Sequence, residues 1–420
     1  MDNKISYLES SRRLGINGAG RIGKLTLWNH LNLGHFDAFV VNTGRMVGKK
    51  LEDFIDYLIK DSTYGSLHTF LYGYSGQTCH IEITDWEEGI FKINGTPIKV
   101  ITESRNPREI KWAKEDVRLV VECSGVFVDP AAPAEAPKGS VRGHLEAGAE
   151  KVLVSAPFKI KDSAQKMPPD SAMFVYGINH TEYEPNEHHI ISAASCTTTG
   201  LAHMVKPLLE SRETADIVTG SMSTVHAATN NQNILDAVPG ENTSDLRRNR
   251  SVFNNIILTS TGAAAALENI LPEIGEIGFM ADSVRIPVST SSLIVLNVTF
   301  NTTLDETGEP LLNRSIINDI YQKAAKGPQK GMLEYSDKQN ASSDMIGHRA
   351  AIVIEGIETH TRTGFLPVYA KYLREHGVDT PHDMNIPVTH AKIFGWYDNE
   401  LGSYVNFLGK MAVYIDKNMP

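Results

Sequence analysis

The sequence predicts a mixed α/β protein in two parts: an α/β half that opens on a glycine-rich turn, then an α+β half built on a mostly antiparallel sheet. Three observations carry that expectation. "RRLGINGAGRIGKLTLWNHL" runs from a short apolar stretch through glycines into a plausible helix. "SSLIVLNVTF" sets Ile294, Leu296, Val298 and Phe300 in strict alternation, the pattern of a half-buried strand. Between them, "IISAASCTTTGLAHMVKPLL" places one of only three cysteines at the start of an apolar helical stripe.

Gly18, Gly20 and Gly23 form G-x-G-x-x-G. Gly18 permits a tight turn, Gly20 lets a pyrophosphate approach the backbone, and Gly23 lets the helix pack close to its strand. The helix N-terminus then offers unbonded N–H groups to a diphosphate. In "HFDAFVVNTGRMVGKK", "FVV" reads as the second strand. An acid at this strand's end usually accepts from the ribose 2′-OH. Here Asn42, Thr43, Gly44 and Arg45 follow, and no acid comes before Glu52. Thr43 and Arg45 can donate to a 2′-phosphate, or Arg45 is a solvated loop charge. The pattern points to NADP or to dual use of NAD and NADP.

Further along, "VRLVVECSGVF" reads as a buried strand running into a turn at Ser124 and Gly125, and "HLEAGAEKVLVSAP" as helix end, turn and strand. "AAPAEAPKGS" reads as a surface loop. The mixed-charge run at 103–118 predicts a solvated helix with its flanks.

After Cys196, Leu201, Met204, Val205 and Leu208 make a one-faced helical stripe, with Ser195 or a threonine as cap and Pro207 kinking or ending the helix. A thiol in the first turn ionises more readily, and the thiolate is the nucleophile. The alternative is an inert buried cysteine, but the neighbours are hydroxyls and not core hydrophobes. His226 closes the strand-like run "DIVTGSMSTVH", where it is either a base for that thiol or an ordinary core histidine.

Composition narrows the class. The chain has 420 residues, enough for two or three domains with sizeable cores. With 41% hydrophobic and 21% charged residues it reads as soluble and globular. Cys79, Cys123 and Cys196 lack metal-site spacing, and no disulfide framework is expected. "MDNKISYLESSRR" has no apolar core of a secretory signal, and no 18-residue apolar run appears. The expectation is a cytoplasmic protein without a membrane or metal partner. A formal charge of −10 argues against a broad nucleic-acid face.

Taken together, "INGAGRIG", "DSTYGSLH", "ESRNPREIKWA", "VVECSGVF", "SAASCTTTGLA", "STVHAATNNQ", "LTSTGAAAAL", "SVRIPVST", "GPQKGMLEYSD" and "GWYDNELGS" resemble phosphorylating glyceraldehyde-3-phosphate dehydrogenases, in the family's order. The resemblance implies a Rossmann dinucleotide-binding domain at 1–195, with a C-terminal helix at about 401–420 packing back on it. A catalytic domain then occupies 196–400. It implies Cys196 as nucleophile and His226 as base. Thr229 and Arg285 would bind the substrate phosphate, and Ser195, Thr197, Thr261 and Gly262 a second anion. Asn399 would hold the nicotinamide, Arg21 and Ile22 the diphosphate, and Arg105 and Ser124 the ribosides. For Thr229 and Thr261 the residues alone equally allow a strand or turn hydroxyl with no ligand.

The implied reaction is oxidation of glyceraldehyde 3-phosphate to 1,3-bisphosphoglycerate through a thioester, with inorganic phosphate as acceptor and NAD or NADP taking the hydride. The implied assembly is a homotetramer. The alternatives are oxidation of another phospho-aldehyde, such as erythrose 4-phosphate, or a catalytically quiet binding protein.

Some positions depart from the family. Thr199 and Gly200 replace Asn and a second Cys, which removes a local disulfide. Ala265 replaces a lysine. Ser403 stands where an aromatic is expected, with Tyr404 one place later. The "ILDAVPGENTSDLRRNR" loop is long, and its Ser244 could reach a 2′-phosphate. Extra residues lie near 129–140 and 160–170, and a larger insertion at about 348–392. Within the latter, "LPVYAKYLREHGV" predicts an amphipathic helix stopped by glycine. His348, His360, His376, His382 and His390 make this segment histidine-rich without metal spacing.

Overall fold

Strand β1 (Arg13–Asn17) is buried throughout and passes through the glycine turn into α1 (Arg21–Leu33). The computed structural model describes residues 12–162, 164–230, 232–241 and 243–420. Residues 1–11, on which the reading of the N-terminus mostly rests, lie outside them. The chain divides into two compact units: the part up to Ser195 together with Glu400–Pro420, and Cys196–Asn399.

The first unit continues with β2 (Ala38–Asn42), α2 (Leu51–Leu58), the short pair β3 (Lys60–Asp61) and β4 (Gly65–Ser66), and α3 (Leu67–Tyr72). Then come β5 (Ile81–Asp85), β6 (Ile90–Ile93), β7 (Thr96–Ile101), β8 (Leu119–Glu122) and α4 (Gly143–Glu146). It closes this stretch with β9 (Lys151–Val154), β10 (Ser171–Met173) and β11 (Ile190–Ser192).

Nine strands form one sheet in the order β10-β11-β9-β8-β1-β2-β7-β6-β5. Every pair from β10 to β7 is parallel, and only the β7-β6-β5 edge is antiparallel. The chain winds outward from β1 in both directions, so the order reverses there. In such sheets ligands bind outside the carboxyl ends of the strands at that reversal. Strands β2, β8 and β9 are buried at every residue, as parallel strands covered on both faces are.

The second unit holds α5 (Cys196–Glu210), β12 (Ile217–His226), β13 (Ile257–Thr259), α6 (Ala263–Ile270), β14 (Gly278–Arg285) and β15 (Ser292–Asn301). It goes on with α7 (Arg314–Lys326), β16 (Leu333–Ser336), β17 (Ile352–Glu355), β18 (His360–Val368), α8 (Ala370–Glu375) and β19 (Met384–Tyr397). Its sheet runs β13-β14-β12-β15-β19-β17-β16, with β18 paired to β19 off that path. The pairing is mostly antiparallel, with β12-β14 and β16-β17 parallel. Ile294, Leu296, Val298 and Phe300 are all buried, on the face their alternation predicts. After β19 the chain returns to the first unit, where a π turn (Leu401–Val405) leads into α9 (Asn406–Asn418).

Two expectations are corrected, and two are refined. Residues 103–118 form no α-helix, only 3-10 turns at Pro107–Glu109 and Ala113–Glu115. Ile110, Trp112 and Val117 are drawn into an apolar cluster with Val40 and Val120, and a solvated helix could not bury all three. "LPVYAKYLREHGV" is helical only over Ala370–Glu375, because Leu366–Val368 belong to β18. Gly377 does end it, with φ of 80°. Of the two outcomes expected at Pro207, the helix does not end there: Pro207 lies inside α5, which runs on to Glu210. A proline near the last turn removes one N–H only from that final stretch. Finally, the 348–392 stretch, where the insertion is expected, has two parts. Strand β17 within it is wholly buried, and only the β18-α8-β19 hairpin extends outward, with Phe365, Leu366, Tyr369 and Tyr372 exposed.

Candidate active site

The glycines of the first unit have separable roles. Gly18 has φ of 93°, a left-handed conformation open to glycine, and its N–H donates to Asn42 O at 2.9 Å. A Cβ on Gly23 would lie 1.8 Å from Gly18 O, so only glycine allows α1 this close to the turn. A Cβ on Gly20 would meet nothing within 4 Å. Gly20 is the residue that caps α1, and it brings no side chain to bond the first turn. Open space over the N-terminus of a 13-residue helix fits a dinucleotide diphosphate.

The Arg21 side chain is turned elsewhere. Its Nη1 pairs with Asp61 at 2.7 Å and its Nε with Glu400 at 2.8 Å, while the guanidinium lies over the Tyr64 ring. Ile22 packs against the main core.

At the end of β2, Asn42 turns inward, donating to Asn17 Oδ1 at 2.8 Å and Ser104 O at 3.0 Å. Thr43 Oγ1 lies 2.6 Å from Arg45 O and 3.2 Å from Ile101 O. Arg45 and Arg105 are exposed, and the Arg105 side chain covers Gly44. Two guanidinium groups therefore flank a strand end that has no carboxylate of its own.

Beneath this surface lies a network that sequence reasoning missed. The buried Glu122 carboxylate accepts Asn17 Nδ2 (2.5 Å) and His144 Nε2 (3.0 Å) on one oxygen, and the Ser124 N–H (2.6 Å) and Oγ on the other. Trp112 Nε1–H donates to His144 Nδ1 at 2.9 Å, which assigns the His144 proton to Nε2. Ser124 is thus held by a carboxylate with four donors, joined to β1 through Asn17. The sequence signal was an acid inside an apolar strand, which is rare unless the acid is partnered.

Approaching the cysteine, Ala194 has φ of 57° and is fully buried. A non-glycine residue in that region is strained and persists only where its surroundings hold it. Ser192 Oγ accepts the Ala194 N–H at 3.0 Å, and Tyr404 Oη donates to Ala194 O at 3.0 Å. Tyr404 is buried, so the displaced aromatic serves as a brace on this segment.

In the second unit, Cys196 is the first residue of the 15-residue helix α5. Its Sγ lies 3.5 Å from His226 Nε2, at the end of β12. Parallel pairing of β12 with β14 sets His226 opposite Arg285. His226 Nδ1 lies 2.8 Å from Ala227 O and 2.5 Å from Arg285 Nη1, which is also 3.1 Å from Ala227 O. One nitrogen cannot donate to Ala227 and accept from Arg285 at once. Only the Nδ1–H form leaves a lone pair on Nε2 toward Cys196.

Burial pushes the His226 pKa down to about 3; the Arg285 charge adds to this, and the Ala227 carbonyl opposes it. Burial also lowers the pKa of Arg285, whose Nε is buried with no partner among the described residues. An orphaned guanidinium N–H beside the base suits an anion.

The remaining predicted residues spread around this centre. Thr229 donates through N–H and Oγ1 to Gln232 Oε1, at 2.8 and 2.9 Å. Thr197 is buried, its hydroxyl 2.9 Å from Tyr397 Oη, which also meets Thr224 Oγ1 at 2.8 Å. Thr197 therefore braces the site through Tyr397, a residue not singled out from sequence. Thr261 Oγ1 accepts the Ala263 N–H at 3.2 Å, and Gly262 caps α6 with open space about it. Asn399 is buried and accepts Ser292 Oγ at 3.0 Å, while Ser292 Oγ accepts the Ala227 N–H at 3.0 Å. Ser195 is half-buried, next to the nucleophile in the chain.

Ser244 is exposed on the 230–256 loop, which Asp236 braces through Arg250 (2.9 Å) and the Ser251 N–H (2.8 Å). That loop exposes Ile234, Leu235, Val238, Leu246, Phe253 and Ile256.

The histidines of 348–392 do not converge: His348 faces Glu334, His360 faces Glu358, and His390 faces Thr299. Among the described residues, no group of three His, Cys, Asp or Glu could hold a metal, and no helix is long and apolar enough to cross a membrane.

Comparison with known proteins agrees across the chain. Residues 12–130 match the family model "Glyceraldehyde 3-phosphate dehydrogenase, NAD binding domain", and residues 195–372 match "Glyceraldehyde 3-phosphate dehydrogenase, C-terminal domain". A curated relative from Streptomyces avermitilis, "Glyceraldehyde-3-phosphate dehydrogenase 2", is 32% identical over 97% of this chain and 99% of its own length. "Glyceraldehyde-3-phosphate dehydrogenase 1" of Bacillus subtilis is 32% identical over 96% of this chain and 98% of its own.

Proposed function

Since the chain belongs to the glyceraldehyde-3-phosphate dehydrogenase family, an oxidoreductase family, we propose that it oxidises glyceraldehyde 3-phosphate to 1,3-bisphosphoglycerate through a thioester on Cys196, as a homotetramer. The observation that carries this reading is the 3.5 Å approach of His226 Nε2 to a cysteine at the first turn of α5. His226 Nε2 takes the Cys196 thiol proton, the thiolate adds to the aldehyde carbon, and the proton passes to the new oxyanion, giving a thiohemiacetal. A nicotinamide dinucleotide held at the α1 N-terminus would supply the hydride acceptor. His226 Nε2 takes the hydroxyl proton, leaving the acyl group on sulfur. Inorganic phosphate then attacks the acyl carbon, the thiolate leaves, and the acyl phosphate forms.

Substrate phosphate is assigned to Thr229 and Arg285, and the attacking phosphate to Ser195, Thr197, Thr261 and Gly262. Drawing Arg285 onto a phosphate removes its charge from His226 Nδ1, which favours the Nδ1–H form and strengthens Nε2 as a base. Exposed apolar side chains on the 230–256 loop support contact with further copies of the chain. The test is the initial rate against added phosphate, run on the species that sediments as four chains. Dependence on phosphate is expected. Turnover indifferent to phosphate would remove the acyl-phosphate step, and a fully active monomer would remove the tetramer.

The dinucleotide is assigned to the α1 N-terminus, with its diphosphate on the backbone N–H groups of Arg21 and Ile22 and not on the committed guanidinium. Asn399 is assigned to the nicotinamide amide, and Ser124 and Arg105 to the ribosides. Thr43, Arg45 and Ser244 favour use of NADP beside NAD. Thr43→Asp should lower kcat/KM for NADP by roughly 10-fold or more, through repulsion of the 2′-phosphate, and leave NAD unchanged or improved. Comparison of kcat/KM for both cofactors checks it. Equal losses with the two would show that this strand end does not read the 2′ position.

A further inference from the structure

We propose that Gln232 is a built-in competitor for the substrate phosphate, its side-chain oxygen holding the place of a phosphate oxygen on Thr229. The inference rests on the assignment of Thr229 to that phosphate. Thr229 aims two donors, N–H at 2.8 Å and Oγ1–H at 2.9 Å, at the single atom Gln232 Oε1. A backbone N–H only donates, so the atom facing it is the amide oxygen and not the nitrogen, which fixes the orientation of the amide. The Gln232 N–H also donates to Thr229 O at 2.9 Å, a further bond that keeps the two residues together.

Two convergent donors from one residue are what a phosphate oxygen requires. Here the neutral Gln232 carbonyl takes both. An ionised phosphate oxygen is the stronger acceptor, because charge-assisted hydrogen bonds are roughly twice as strong as neutral ones. The phosphate therefore displaces Gln232, but only after those bonds are broken. Gln232 weakens substrate affinity without touching the reacting carbon. A ligand with no phosphate leaves the Thr229–Gln232 bonds intact.

The experiment compares glyceraldehyde 3-phosphate with unphosphorylated glyceraldehyde on the full chain. Gln232→Ala is expected to lower KM for the phosphorylated aldehyde roughly three- to tenfold, the worth of about one neutral hydrogen bond, with KM for glyceraldehyde unchanged. Gln232→Glu is expected to raise the first KM, since a carboxylate accepts more strongly and repels the phosphate. A Gln232→Ala variant whose KM for the phosphorylated aldehyde is unchanged or raised overturns the proposal, circular dichroism having established that it folds. Thr229→Val separates the two readings. If it leaves both KM values alone, the phosphate assignment of Thr229 is wrong. If it raises only the phosphorylated KM while Gln232→Ala has no effect, the assignment stands and the competitor role falls.

Discussion

Cys196→Ser removes turnover by about 10⁴-fold or more, the scale of losing a nucleophile that works together with its base. A serine hydroxyl is a far weaker acid than a thiol, and the partial positive charge at the start of α5 does not bridge that gap. The change is nearly isosteric at a half-buried position, so thermal stability and dinucleotide affinity should hold. Mass spectrometry gives the complementary result: wild-type chain with aldehyde and oxidised cofactor, but no phosphate, carries one acyl group on Cys196. A serine variant retaining a per cent of the rate, or an acyl group found elsewhere, would remove the thioester from the route.

His226→Asn should lower kcat by about 10²- to 10⁴-fold, the usual contribution of a positioned general base, with little change in KM for the phosphorylated aldehyde. The residue also has a signature in stability. Burial, with the Arg285 charge beside it, holds the His226 pKa near 3 against an ordinary 6.5. The native state therefore prefers the neutral ring. The stabilisation is complete above the ordinary value and is lost progressively as pH falls from there toward about 3. The slope is roughly 1.4 kcal/mol per pH unit at most for one proton. Denaturant unfolding at pH 7 and pH 4.5 should show the wild type losing more stability than His226→Asn over that interval. Equal losses would place the ring in a more solvated setting than its burial implies.

Legibility from sequence divided along physical lines. Gly18, Gly20 and Gly23 were readable because each answers to a constraint within a few residues: a left-handed φ, open space at a helix start, and a helix pressed on its own turn. The alternation at 294–300 was readable because side chains change face at every residue of a strand. The 103–118 segment misled because charges spread along it masked Ile110, Trp112 and Val117, whose burial depends on Val40 and Val120 in other strands. The 366–378 segment misled because its apolar spacing suits a helix locally, while pairing with β19 claims Leu366–Val368 for β18.

The sequence by itself determined the two-part α/β plan, the glycine turn, the cysteine at a helix start and the family. These are carried by backbone conformation, short-range periodicity and ordered motifs. Only the tertiary structure decided which side chains meet. Cys196 reaches His226 thirty positions away, Thr197 meets Tyr397, and Glu122 collects Asn17 and His144. It also decided what each group is committed to: Arg21 to Asp61 and Glu400, Thr229 to Gln232, and Arg285 to the carbonyl beside the base. The physical reason is that strand register and helix packing set distances between residues far apart in the chain. A hydrogen bond depends on a few tenths of an ångström, which no local pattern records.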